Sequence, residues 1–318
     1  MIIKCFAAKA DSIIIIRSNT LPGGIKMSYP EPVMAICYDF DGTLAPGNMQ
    51  EHDFFPDLKI APMDFWRESN DLAREHEVDP ILAYMKLMLD KARLSGKVQI
   101  SKSAFRKYGK SVDLFKGVKS WFGEINDYAA KNGVRLEHYI ISSGLKEMIE
   151  GTPISRHVKA IYASSFIYDQ HDVAIWPANA VNYTTKTQYL YRINKGIESV
   201  TDNQTINEFV AEEDRRIPFS RMLFIGDGST DVPCMKLVKN QGGHAIAVYS
   251  EERAESKDYA FRLLSDGRVN FVAEGVYTKN SKMFEYTSSI IDMISASYRL
   301  YMLTKSVSPA QEGAGTEN

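Results

Sequence analysis

The chain has 318 residues, 44% of them hydrophobic and 25% charged, a balance that excludes disordered, collagen-like and membrane-embedded classes. Its 38 basic and 40 acidic side chains leave a net charge of -2, which offers no general field for nucleic acid or an anionic membrane surface. Three cysteines, Cys5, Cys37 and Cys234, are too few for a disulfide scaffold, so a reducing cytoplasm is the expected compartment.

Residues 1–30 fit poorly with the rest of the chain. Lys9 and Asp11 separate the Ile13–Ile16 run from the earlier apolar patch, so the unbroken core of a secretory signal is missing. Met27 reads as the biological start and the residues before it as a translated leader, with a short edge strand as the alternative. Val33–Tyr38 (VMAICY) is a continuous apolar run, the pattern of a strand buried on both faces of a parallel sheet. Residues 46–112 carry helix signals and no comparable run. One helix is expected from Asp64 to Glu75. Another opens at Asp79-Pro80, with Asp at the N-cap and Pro at the first position, and closes at Gly96. Its Ile81, Tyr84, Met85 and Met88 share one face that needs a surface to bury against, so the segment reads as a small helical insertion.

Further along, Leu114–Lys131 has helical spacing with Gly133 as its stop, and Met283–Leu303 repeats the pattern. Short apolar runs recur at Tyr139–Ile141, Ile161–Ala163, Met222–Ile225 and Ala245–Tyr249. Strands alternating with helices predict a doubly wound, Rossmann-like α/β core with a parallel sheet, in which ligands sit beyond the carboxyl ends of the strands. From Ser306 onward the chain is nearly devoid of apolar residues and is expected to be a disordered tail.

Chemistry gathers at the expected strand ends. Asp39-Phe40-Asp41-Gly42-Thr43 follows the first strand, placing two carboxylates on one side with Phe40 turned away. Gly42 permits a sharp turn there. Gly226-Asp227-Gly228-Ser229-Thr230-Asp231 follows another strand in the same manner. Asp39, Asp41, Asp227 and Asp231 together predict a four-carboxylate cluster, whose mutual repulsion calls for a hard cation such as Mg²⁺. Ser142-Ser143-Gly144 offers a hydroxyl and backbone amides suited to an anion, or simply a helix N-cap. Lys186 opens a helical pattern where the macrodipole disfavours a cation, so a partner carboxylate or phosphate is expected beside it. Lys146 and Lys195 are the alternatives.

These motifs, in this order, resemble the haloacid dehalogenase (HAD) superfamily of aspartate-nucleophile hydrolases, over about residues 33–303. The resemblance makes residues 31–45 and 113–305 the core, residues 46–112 a helical cap like that of the phosphoserine phosphatase-like branch, and residues 306–318 a tail. It implies that Asp39 is the nucleophile and Asp41 the general acid–base. Mg²⁺ would be held by the Asp39 side chain, the Asp41 carbonyl and Asp227. Ser142, Ser143 and Lys186 would bind the phosphoryl group, with Asp231, Gly42 and Thr43 supporting.

An acid at position 41 distinguishes this chain from dehalogenating members, whose halide leaving group needs no proton. Phe40-Asp41-Gly42-Thr43 also differs from the Lys-Thr-Gly-Thr run of transporting ATPases. The implied activity is a Mg²⁺-dependent phosphatase acting on a small phosphorylated substrate, with no nucleic-acid or membrane partner. A phosphotransferase or mutase, and a catalytically silent binding protein, are the alternatives. Arg67, Glu68, Arg74 and Arg93 of the insertion could meet substrate, although exposed charges on small helices are usually solvated. Gly109-Lys110-Ser111 mimics the end of a phosphate-binding loop, but Ala104 stands where that loop needs glycine, so it reads as a helix end.

Overall fold

The computed structural model describes residues 31–307. The leader reading, including the start at Met27, and the tail beyond Val307 lie outside the described residues. β1 (Val33–Tyr38) is followed by α1 (Phe54–Leu58), α2 (Pro62–Glu75), α3 (Pro80–Ser95), α4 (Lys102–Lys110) and α5 (Val118–Lys131). Then come β2 (Arg135–Leu145), α6 (Lys146–Gly151), β3 (Ala160–Tyr168), β4 (Ala174–Asn179) and α7 (Lys186–Lys195). The chain continues through β5 (Met222–Gly226), α8 (Val232–Asn240), β6 (His244–Tyr249), α9 (Ala254–Ser265), β7 (Phe271–Glu274) and α10 (Lys282–Val307).

The seven strands form one sheet in the order β4-β3-β2-β1-β5-β6-β7, with every pairing parallel except β3 with β4. β1 is central, and all six of its residues are buried, as a strand covered on both faces must be. Met34, Ile36 and Tyr38 point into one apolar cluster with α5, α10 and the helices of residues 46–112. Val33, Ala35 and Cys37 point into a second with α7, α8 and α9. The sheet is thus wound on both sides. The chain leaves β1 first toward β2 and later returns to its other side at β5, so the strand order reverses at β1 and opens a crevice at its carboxyl end.

Two helix boundaries differ from the expectation. α5 starts at Val118, because the amide of Phe115 donates to the carbonyl of Leu44 and holds Leu114 and Phe115 in a loop. α10 continues to Val307, so Ser306 and Val307 end a helix instead of beginning a tail. β4 and β7 had no apolar run of their own: β4 is an edge strand with Ile175 and Trp176 exposed and Pro177 in its middle, and β7 is four residues long.

The helices of residues 46–112 share one continuous apolar cluster with the sheet, through Phe54, Phe55, Phe65, Met85 and Met88. Asp79 caps α3 as expected, accepting from the amides of Ile81 and Leu82. α4 docks backbone-to-backbone on α6, where a Cβ built on Gly109 would lie 1.8 Å from the carbonyl oxygen of Met148. Gly109→Ala is therefore expected to destabilise the protein by about 3 kcal/mol. Gly123→Ala, in α5 where nothing beyond its own helix backbone lies within 4 Å of the new methyl, should stabilise it by up to ~1 kcal/mol. Urea unfolding of the two variants checks the pair.

Beneath the sheet's central strands runs a buried hydrogen-bond chain. Trp121 Nε1 donates to Tyr38 Oη at 2.8 Å, and Tyr38 Oη lies 3.0 Å from His138 Nδ1. His138 Nε2 in turn lies 3.1 Å from Asn126 Oδ1. Only a neutral imidazole protonated on Nε2 satisfies every member. Burial, with a smaller contribution from His157, pushes His138 down from 6.5 to about 3. The unfolded chain binds this proton near pH 6.5 and the folded chain resists it, so stability falls as pH drops through that window. Wild type should lose ~2 kcal/mol more than His138→Gln between pH 7 and pH 5, measured by urea unfolding.

Candidate active site

Asp39 and Asp41 lie at the carboxyl end of β1, Asp227 just beyond β5, and Ser142 in β2. The amide of Asp39 donates to the carbonyl of Ile225 at 2.9 Å, so the two acidic strand ends are tied together. Gly42 has φ +76°, and a Cβ there would lie 2.1 Å from Asp227 Oδ2. Only glycine lets the β1 turn pass this close to the second acidic motif. Thr43 Oγ1 donates to Asp227 Oδ1 at 3.3 Å, and Tyr277 holds the Thr43 carbonyl at 2.7 Å.

Lys186 is fully buried at the start of α7. Its ammonium lies 3.1 Å from Asp39 Oδ2 and 2.7 Å from Asp231 Oδ1, and donates to Thr230 Oγ1 at 3.4 Å. The two carboxylates offset both the lost hydration and the unfavourable helix end. Burial opposes the charge, yet Asp231 and Asp39 outweigh it and hold Lys186 above the usual lysine range. Of the alternatives, Lys195 donates instead to the carbonyls of Ile206 and Glu208, at 2.7 and 2.6 Å. Lys146 is the first residue of α6 and makes none of these contacts.

Asp39, Asp227 and Asp231 each bring a carboxylate oxygen within 4.8 Å of the others. The expected fourth carboxylate is not among them: Asp41 Oδ1 accepts the amide of Met49 at 2.8 Å. Asp231 is already engaged, since Oδ1 holds Lys186 and Oδ2 accepts the amides of Asp227 and Gly228 at 3.2 and 3.1 Å. It orients Lys186 and the turn after β5 instead of offering a free oxygen. Asp39 Oδ1, by contrast, is buried without a hydrogen-bond partner.

Burial and then the charge of Asp231 push Asp39 up to about 6, with Lys186 pulling it back. Burial and then Asp39 push Asp41 well above the carboxylate range, and burial, Asp231 and Asp39 do the same to Asp227. Three clustered carboxylates face one ammonium, with Asp41 close enough to Asp39 to feel its charge, and leave a strong negative excess in a desolvated place. A donor set of carboxylate oxygens with one orphaned buried oxygen fits a hard divalent cation.

Ser142–Gly144 form an irregular stretch near the carboxyl end of β2, where a Cβ on Gly144 would lie 2.7 Å from Asp41 Oδ2. Ser142 is fully buried, and its Oγ accepts the amide of Gly144 at 3.0 Å. Ser143 Oγ is buried without a partner, while the Ser143 carbonyl accepts from Tyr84 Oη at 2.6 Å. Tyr84 and Met49 are contacts from residues 46–112 that motif reading did not single out for the site. Arg67, Arg74 and Glu68 pair on the surface with Asp64, Asp71 and Lys91, and Arg93 donates to the carbonyl of Ala174. His171 lies in the turn between β3 and β4, its amide on Asp169. Cys37 and Cys234 are buried free thiols in the packing of the sheet. A recess of about 710 Å³ opens beside Asp227, lined also by Ser229, Arg253 and Tyr259.

A doubly wound sheet with carboxylates from two strand ends gathered on a buried lysine defines an α/β enzyme with an acidic centre. The model of the haloacid dehalogenase-like hydrolases matches residues 36–236, and the chain belongs to that family. A protein of Borreliella burgdorferi, described only as uncharacterized, is 28% identical over 283 residues, 82% of this chain and 97% of its own. Among solved structures, a substrate-bound phosphoserine phosphatase complex matches at TM-score 0.49 and 12% identity, over 78% of this chain and 94% of that one. A HAD family hydrolase from Salmonella enterica serovar Typhi matches at TM-score 0.48 and 15% identity, over 72% of this chain and 66% of that one. Among the described residues, no helix is long and apolar enough to cross a membrane.

Proposed function

We propose that this chain is a Mg²⁺-dependent phosphatase that hydrolyses a phosphomonoester of a small metabolite through an aspartyl-phosphate at Asp39. The observation that carries this reading is the state of Asp39: one oxygen is ion-paired to Lys186 and the other is buried without a partner. A carboxylate held this way is stripped of water and fixed in direction, as a nucleophile must be.

In the first step an Asp39 oxygen bonds to phosphorus as the ester oxygen departs, and Asp41 gives that oxygen its proton. In the second, Asp41 takes a proton from water as the water oxygen attacks phosphorus, releasing phosphate and restoring Asp39. Asp41 suits both halves, because burial and the Asp39 charge raise its proton affinity at the outset. Lys186, the Ser142 hydroxyl and the Ser143 amide bear on the phosphoryl oxygens, where positioning and charge contribute most of the rate. The Asp39 and Asp227 side chains and the Asp41 carbonyl would hold Mg²⁺, which when bound neutralises the acidic excess and attracts phosphate oxygens. Residues 46–112 act as the cap over a core of residues 31–45 and 113–305, as in the phosphoserine phosphatase-like branch. Two buried free thiols suit a reducing cytoplasm.

Hydrolysis of an aryl phosphate tests the reading. Activity should vanish on chelation and return with Mg²⁺, and free phosphate should appear in step with the alcohol. Turnover indifferent to chelation would contradict the metal assignment. An isomerised ester with little free phosphate would favour the phosphotransferase.

A further inference from the structure

Tyr84 comes from α3, in the helices of residues 46–112, and is 5% exposed. Its hydroxyl donates to the Ser143 carbonyl at 2.6 Å. That carbonyl belongs to the same peptide unit as the amide of Gly144, which donates to Ser142 Oγ at 3.0 Å. A trans peptide is planar, so fixing the direction of its C=O fixes the opposed N–H. Ser142 Oγ, accepting from that N–H, has its own hydrogen left to donate. In a fully buried position no water competes for it. We propose that Tyr84 is a positioning residue that sets the Ser142 hydroxyl toward the phosphoryl group through the Ser143–Gly144 peptide. The inference rests on the phosphatase reading and adds a residue to it.

The ring itself is held in place. It meets Trp66 edge-on at 5.9 Å, and Trp66 Nε1 donates to Glu51 Oε1 at 2.8 Å. Burial raises the phenol far above its usual range, so it remains a donor at any working pH. From the other side Met49 closes on the same stretch of β2: its Sδ accepts the amide of Leu145 at 3.3 Å. A Cβ on Gly144 would lie 2.2 Å from Met49 Cε and 2.7 Å from Asp41 Oδ2, so Met49 and Asp41 crowd this residue from the other side. The Tyr84 hydroxyl donates to the Ser143 carbonyl. It acts on Ser142, and through Ser142 on the reaction.

A double-mutant cycle separates this from a packing role. Tyr84→Phe, which keeps the ring, is expected to lower kcat/KM for an aryl phosphate about tenfold, and Ser142→Ala about 100-fold. The double variant should match Ser142→Ala within about twofold, because the route from Tyr84 passes through the absent hydroxyl. Inhibition by inorganic phosphate should weaken in the same non-additive way. All rates are read well below each variant's melting temperature, so loss of fold does not enter. Losses that multiply, or a Tyr84→Phe enzyme equal to wild type, would overturn the proposal and leave the phosphatase reading standing. A wild-type chain that neither hydrolyses phosphomonoesters nor binds phosphate would remove both.

Discussion

Asp39→Asn is expected to cut phosphatase turnover by roughly 10⁴-fold or more while the chain stays folded. The substitution keeps the shape of the side chain and removes only its charge and nucleophilicity. Asp39 is 6% exposed, and its ordinary ionised form is opposed by burial and by Asp231. Loss of that charge therefore relieves repulsion among the three clustered carboxylates, while Lys186 keeps Asp231 at 2.7 Å as a partner. Thermal melting of the variant should lie at or above that of wild type. Kinetics on an aryl phosphate and a melting curve on the same preparation check both halves, and residual turnover within tenfold of wild type would contradict the assignment of the nucleophile.

Lys186→Met has the opposite stability outcome with a comparable loss of activity. The ammonium is fully buried and faces two carboxylates. Removing it leaves Asp39 and Asp231 desolvated with no cation of the chain between them. Breaking a buried pair by deleting one partner costs about 3–5 kcal/mol, since the remaining charge is uncompensated. The variant should unfold at clearly lower urea and regain part of the loss at acidic pH, where the carboxylates can protonate. Urea unfolding at two pH values measures this. Stability equal to wild type would mean that the ion pairs carry little of the site's architecture.

The contrast between these variants shows what the sequence could and could not reveal. β1 was legible because six apolar residues in a row have no other comfortable place than a doubly covered strand. Asp39 and Asp227 were legible because acidic residues directly after such strands sit where an α/β sheet opens. Lys186 drew notice through its misfit with the helix end, and the structure places two carboxylates there. Asp41 differs in detail: two aspartates flanking Phe40 suggest parallel side chains, whereas Oδ1 of Asp41 takes the Met49 amide and the oxygens that meet within 4.8 Å belong to Asp39, Asp227 and Asp231. Nothing in the local pattern around Met49 announces that amide.

In the sequence Tyr84 is one apolar face residue among others, since helical periodicity reports a face and not the atom at its tip. Its partner carbonyl lies 59 residues away in sequence, beyond the reach of any local pattern. β7 escapes for a related reason, because four residues are too few for an apolar run of their own.

Borohydride quenching during turnover tests the central claim most directly, because acyl phosphates are reduced to alcohols and free carboxylates are not. Peptide mapping of the quenched enzyme should find homoserine at position 39, only when substrate and Mg²⁺ are both present. An unmodified Asp39 in enzyme trapped under full turnover, or label at another residue, would contradict the account.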